Sequence, residues 1–195
     1  MMKKTLKTTV LATAFAALST SALAADYVID SDTKGAHAQI DVAVSHLGIS
    51  YTKGRFNSFE GTLSYDKDKP EASKVSVTID TTSYDSNHAK RDKHVKSGDF
   101  LDVAKYPSAT FVSTNVADKG SDMLAITGNF TLHGKTQSIT FDARKIGEGS
   151  DPWGGYRVGF EAKTELKFSD YGIDAQKKIG TDAFMLDFFI EGVRK

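Results

Sequence analysis

His88, Asp92 and His94 are the residues of this chain whose types and spacing come closest to metal or proton chemistry. In a helix opening at Asn87, His88 and Asp92 would stand one turn apart on a shared face, as two metal ligands should. His94 would point elsewhere, and no zincin-type signature accompanies the set. Arg91, Asp92 and His94 read better as the hydrogen-bonding and ion-pairing residues that tie a polar helix to its neighbours, so no metal site is expected. A hydrolase would need a nucleophile with a base in reach. Serines are present, but no Gly-x-Ser-x-Gly elbow is, and no catalytic residue is assigned. The chain has no cysteine, which removes thiolate chemistry, cysteine-ligated metals and disulfides together. His46 is different, because it falls at the end of an apolar strand face. Two readings apply to it: contact with a ligand's polar head at the mouth of a pocket, or a structural hydrogen bond to nearby backbone.

The elements that would position these residues are mostly strands. Tyr156 to Phe168 alternates without a slip: Tyr156, Val158, Phe160, Ala162, Thr164, Leu166 and Phe168 share one face, and Arg157 to Lys167 supply the other. A period of two marks a strand with one dry face, reaching roughly 43 Å at about 3.3 Å per residue. The same alternation recurs over 38–46, 59–65, 75–79, 124–132, 139–143 and 184–191. Residues 109–116 are ambiguous in facing, since Phe111 and Val112 are adjacent. His133-Gly134-Lys135 makes a hairpin turn, Gly147 to Gly155 reads as a loop, and Ser169 to Thr181 as a second loop. One short helix is expected over Asn87 to Lys96, ending near Gly98, with only Ala89 and Val95 as its apolar side, so it belongs on a rim or flank. The fold class is therefore all-β with one short helix. About eight antiparallel strands would leave edges exposed as an open sheet, and closure into a barrel removes them. Such a barrel can be filled by side chains or can hold one ligand. The small residues Gly61, Gly128, Ala143, Ala162 and Thr164 share the dry faces with large apolar ones, and both outcomes fit them.

The N-terminal residues 1–24 read as a cleaved secretory signal peptide: Lys3, Lys4 and Lys7, a short apolar run from Val10 to Leu18, and Ala22-Leu23-Ala24 before Ala25. The run is too short to span a bilayer, so no stable membrane insertion is expected. Residues 25–195 form a single domain carrying 22 basic and 25 acidic residues, a formal charge of −3, with no basic surplus to recommend nucleic acid. Export would place the chain in the periplasm of a double-membraned bacterium.

An ordered set of motifs carries a resemblance. Ser45-His46-Leu47-Gly48, Gly54-x-Phe56-x-x-Phe59-x-Gly61, Asn87-His88-Ala89-x-Arg91-Asp92-Lys93-His94, Asp99-Phe100-Leu101, Lys105-Tyr106-Pro107-x-Ala109-Thr110-Phe111, and Asp151-Pro152-Trp153-Gly154-Gly155 run through nearly the whole of residues 25–195. The chain resembles the YceI-like family of bacterial proteins. The resemblance implies a lipocalin-like barrel that binds polyisoprenoid or related long-chain lipids and serves as a periplasmic carrier or store. Ile49 to Lys53 is more polar, and Phe130 larger, than the family pattern, and both bear on cavity shape. On this reading Phe59, Leu63, Phe111, Phe130, Phe141, Phe160 and Leu166 line an apolar tunnel, His46 stands at its mouth, and Trp153 sits at the entrance to the long strand. No cofactor is expected; the expected ligand is an isoprenoid lipid or quinone. The competing reading is a non-enzymatic stress-response scaffold with a filled barrel. A monomer and a homodimer fit equally.

Overall fold

A computed structural model describes residues 24–29, 31 and 37–195. The predicted signal peptide, Ala24 apart, lies outside the described residues. Among these residues no helix is long and apolar enough to cross a membrane.

The eleven strands among the described residues belong to one antiparallel sheet. They are β1 (Ala25–Ile29), β2 (Gln39–His46), β3 (Ser50–Phe56), β4 (Phe59–Tyr65), β5 (Lys74–Asp80), β6 (Tyr84–Asp85), β7 (Ser108–Gly120), β8 (Met123–Leu132), β9 (Lys135–Ser150), β10 (Tyr156–Lys167) and β11 (Ala183–Arg194). Eight of them close a ring in the order β1, β4, β5, β7, β8, β9, β10, β11, sealed by Tyr27–Ile29 of β1 against Gly192–Arg194 of β11. The ring has the predicted number of strands but not all of the predicted members. β11 is long enough to serve two partners: its last residues hold β1, and Phe184–Phe189 hold β2. β2, β3 and β6 thus extend the sheet past the ring at one end of the barrel.

Alternation works as expected along β8 and β10, whose Leu124, Phe130, Leu132, Val158 and Phe160 are buried. The ambiguity in β7 has a physical origin. A bulge sets Ser113 opposite Gly128 and Asn115 opposite Thr127, leaving Thr114 unpaired in the ladder. The extra residue reverses the facing, so that Ala109 and Phe111 point inward before it and Val116 after it. β9 runs to Ser150, beyond the strand expected at 139–143. Its last residues, Gly147-Glu148-Gly149-Ser150, have no apolar face and are held by the ladder to Tyr156–Gly159. β8 and β9 meet through His133 and Gly134, both at positive φ, the two-residue hairpin geometry.

Among the described residues two α-helices are present rather than one. α1 (Ala89–Lys96) is capped not by Asn87, which has φ 57°, but by His88, whose Nδ1 accepts from the Arg91 amide at 3.2 Å. α2 (Ala175–Ile179) lies inside the segment expected to be loop and ends at Gly180 in the left-handed region. Five residues are too few to display a helical period, which is why the pattern hides it.

Candidate functional site

The strand register places the β2–β3 turn, the start of β11, the end of β10 and the β8–β9 turn at one end of the barrel. The β9–β10 loop and the β7–β8 turn lie at the other. Two chambers occupy the interior. The inner one is about 80 Å³ and walled mainly by residues of the ring strands, Leu63, Phe111, Phe141 and Phe160 among them, with Ile40 of β2. The outer one is about 580 Å³ and lies between the open end of the ring, the β2–β3 hairpin, α1 and α2. Ile79 and Phe130 belong to both walls, so the chambers meet at these two side chains. The volume of the outer chamber falls within the range of roughly 300–1,000 Å³ usual for small-molecule sites.

The outer chamber is apolar inside and polar at its mouth. Val42 and Val44 of β2, Phe100, Leu101, Phe184 and Leu186 supply its walls. Its mouth carries His46, Lys53, Arg91 and His94, and among the described residues no carboxylate lines it. Of the two acids beside these residues, Asp92 is turned onto Ser86, and Asp99 is shared between Lys178 and His94. Asp92 Oδ1 accepts from the Ser86 hydroxyl at 2.5 Å and the Ser86 amide at 2.9 Å, and the hydroxyl bond above all holds its carboxyl below the usual carboxylate range. Asp99 accepts from Lys178 of α2 and pairs with His94 Nε2 at 3.2 Å, with Lys178 the main cause of its lowered pKa. Arg91 donates from Nε to the Ser86 hydroxyl at 2.7 Å and from Nη2 to the Ser86 carbonyl at 3.0 Å. These contacts fasten α1 across the open end, with His94 edge-on to Phe100 at 5.1 Å between ring centres. Burial pushes the Tyr84 hydroxyl up, opposed by the neighbouring Arg91 charge.

The far end is closed. Tyr27 and Tyr65 are buried there, Tyr65 meets Phe160 edge-on at 5.3 Å, and Lys145 lies over the Tyr65 ring while reaching Glu148 at 3.5 Å and Asp122 at 3.4 Å. Beside it, Arg157 Nε donates to Asp151 at 2.7 Å and Nη1 to Glu191 at 2.6 Å.

Of the residues singled out from sequence, Leu63, Phe111, Phe141 and Phe160 wall the inner chamber, Phe130 stands between the two, and His46 is exposed at the outer mouth. Phe59 is buried in the core and Leu166 packs against it, both off the chamber walls. Trp153 is 70% exposed in the β9–β10 loop at the closed end, with Arg157 5.5 Å from its ring centre. His88, Asp92 and His94 are engaged separately, by the α1 cap, Ser86 and Asp99. The outer walls are hidden in the sequence because β3 shows no apolar face before Phe56 and because α1 is polar enough to belong on a flank. Val95 was the available signal: it lines the chamber from the helix face shared with Arg91 and His94.

A closed eight-stranded antiparallel ring with an apolar chamber opening at one end defines a lipocalin-like barrel. Residues 27–191 match the YceI-like domain, and a UPF0312 protein of Vibrio campbellii is 53% identical over 195 residues, the full length of both chains. The chain therefore belongs to the YceI-like family. Among solved structures, the YCEI protein of Campylobacter jejuni superimposes with TM-score 0.70 at 27% identity over 78% of this chain and 90% of that one. A polyisoprenoid binding domain from Saccharophagus degradans shares the fold, with TM-score 0.65 at 15% identity over 89% of this chain and 99% of its own.

Proposed function

We propose that this protein is a periplasmic lipid-binding carrier, exported by its N-terminal signal, that sequesters a polyisoprenoid or isoprenoid-quinone chain and catalyses no reaction. The observation that carries this reading is the outer chamber of about 580 Å³, with apolar walls and a mouth bearing Lys53, Arg91 and two histidines. An isoprenoid would lie tail-first, its chain directed toward Ile79 and Phe130 and its polar head at the mouth beside His46. Each methylene moved from water into such walls gains about 0.8 kcal/mol, so a dozen carbons gain on the order of 10 kcal/mol before ordering costs reduce the sum. The family fold and the polyisoprenoid binding domain among its structural relatives support the same ligand class. No further cofactor is required.

The filled-barrel reading draws on the inner chamber, where the rings of Phe111, Phe141 and Phe188 pack together at 5.4 and 5.7 Å. It accounts for that half of the barrel and leaves the outer chamber without a role. Titration with a polyprenol and with an isoprenoid quinone of matched chain length, followed by calorimetry, tests the carrier reading. Saturable binding with a negative heat-capacity change supports it; failure of both ligands to bind overturns it.

A further inference from the structure

The β2–β3 turn and the start of β3 hold three large apolar side chains in water: Leu47, Ile49 and Tyr51 are 70%, 83% and 60% exposed. The fold gains little from them. The turn even works against one, since Leu47 has φ 58° and Gly48 φ 70°, left-handed backbone that suits Gly or Asn and strains a bulky side chain. The same turn borders the outer chamber, through His46, Ser50, Tyr51 and Lys53. Across the mouth lies α1, whose Arg91, His94 and Val95 face the chamber, while Lys90 and Lys93 are exposed. This helix carries Lys90, Arg91, Lys93 and Lys96 against the one acid Asp92, in a chain of zero formal net charge. An apolar finger and a cationic helix on either side of one opening complement an anionic bilayer, whose hydrocarbon would receive the finger and whose phosphates would meet the helix.

We propose that the protein docks mouth-down on anionic phospholipid membranes, with Leu47, Ile49 and Tyr51 entering the interface and Lys53, Lys90 and Lys93 meeting lipid phosphates. This rests on the carrier reading and names where the ligand is exchanged: a tail passes between bilayer and chamber without crossing water. A second copy of the chain fits this face less well, because pairing it about a two-fold axis sets cation against cation.

Co-sedimentation of the purified protein with phosphatidylcholine vesicles, with and without phosphatidylglycerol, tests the proposal. L47S/I49S and K90Q/K93Q alter exposed side chains and should keep the wild-type melting temperature. The wild type should favour the anionic vesicles, L47S/I49S should bind them about tenfold more weakly or worse, and K90Q/K93Q should lose the preference for phosphatidylglycerol. Uptake of geranylgeraniol from vesicle-free solution should be unchanged in both variants. A wild type that ignores anionic vesicles, or an L47S/I49S variant that binds them equally well, overturns docking. So does a dimer in sedimentation velocity that L47S/I49S dissociates, which would assign the face to a second copy. Intact vesicle binding without geranylgeraniol uptake supports docking and overturns the carrier reading, so the two ideas fail separately.

Discussion

The ring of Phe111 occupies the space above Gly128. A Cβ added at position 128 would lie 2.6 Å from Phe111 Cε2 and 2.6 Å from the Val112 carbonyl oxygen. At Gly61 the same is true of Ile29, whose Cδ1 would be 2.6 Å away. These glycines admit a neighbour's side chain and so fill the inner barrel. G128A should therefore destabilise the protein by about 1 to 3 kcal/mol through overpacking. At about 2–4 °C per kcal/mol for a domain of this size, the loss is readable in a thermal melt.

Tyr171 is 1% exposed, packs edge-on against Phe130 at 5.5 Å and Phe184 at 6.3 Å, and its hydroxyl is buried without a hydrogen-bond partner. Y171F keeps the ring contacts and removes the orphaned polar atom, so it should gain about 1 kcal/mol in denaturant unfolding.

Burial, with a smaller contribution from Asp170, pushes the Tyr171 hydroxyl up to about 12. The folded state holds this proton after the unfolded chain has released it, so the stability it contributes is complete below about pH 10 and lost as pH rises toward 12, by on the order of 2 to 3 kcal/mol. Y171F should lack that alkaline component in melts taken across the same range.

Asp92 fixes α1 through the Ser86 hydroxyl and amide. D92A should cost about 1 to 3 kcal/mol and speed hydrogen exchange over 84–96 while leaving β8 and β10 protected. Because the folded carboxyl titrates below its ordinary value, its contribution is present in full above the usual carboxylate range and is lost as pH falls from there through the lower folded value.

Val44 is half-buried in the outer wall and Val42 lies one strand repeat deeper. V44W should fill the chamber and weaken isoprenoid binding about tenfold or more with little change in melting temperature. H46A, at the exposed rim, should weaken it only a few-fold.

How far these features could be read from sequence differs from strand to strand. β8 and β10 keep one parity from end to end, so their buried residues follow from alternation alone. In β7 the parity changes at Thr114, and nothing in Ser113-Thr114-Asn115 announces a bulge. β3 exposes Tyr51, Lys53 and Arg55, and its order comes from pairing with β2 rather than from an apolar face. The inner lining was legible because alternating strands supply it. The outer chamber was not, since α1, α2, β3 and the Phe100-Leu101 turn converge on it from segments that carry little periodicity of their own.

The carrier reading requires that the outer chamber hold an isoprenoid chain. Native mass spectrometry of the protein purified from its own cells without detergent, combined with organic extraction, tests it most directly. The expected result is an added mass that extraction removes and identifies as an isoprenoid lipid or quinone, and that V44W does not carry. A protein that is empty as isolated and takes up no isoprenoid on incubation would contradict it.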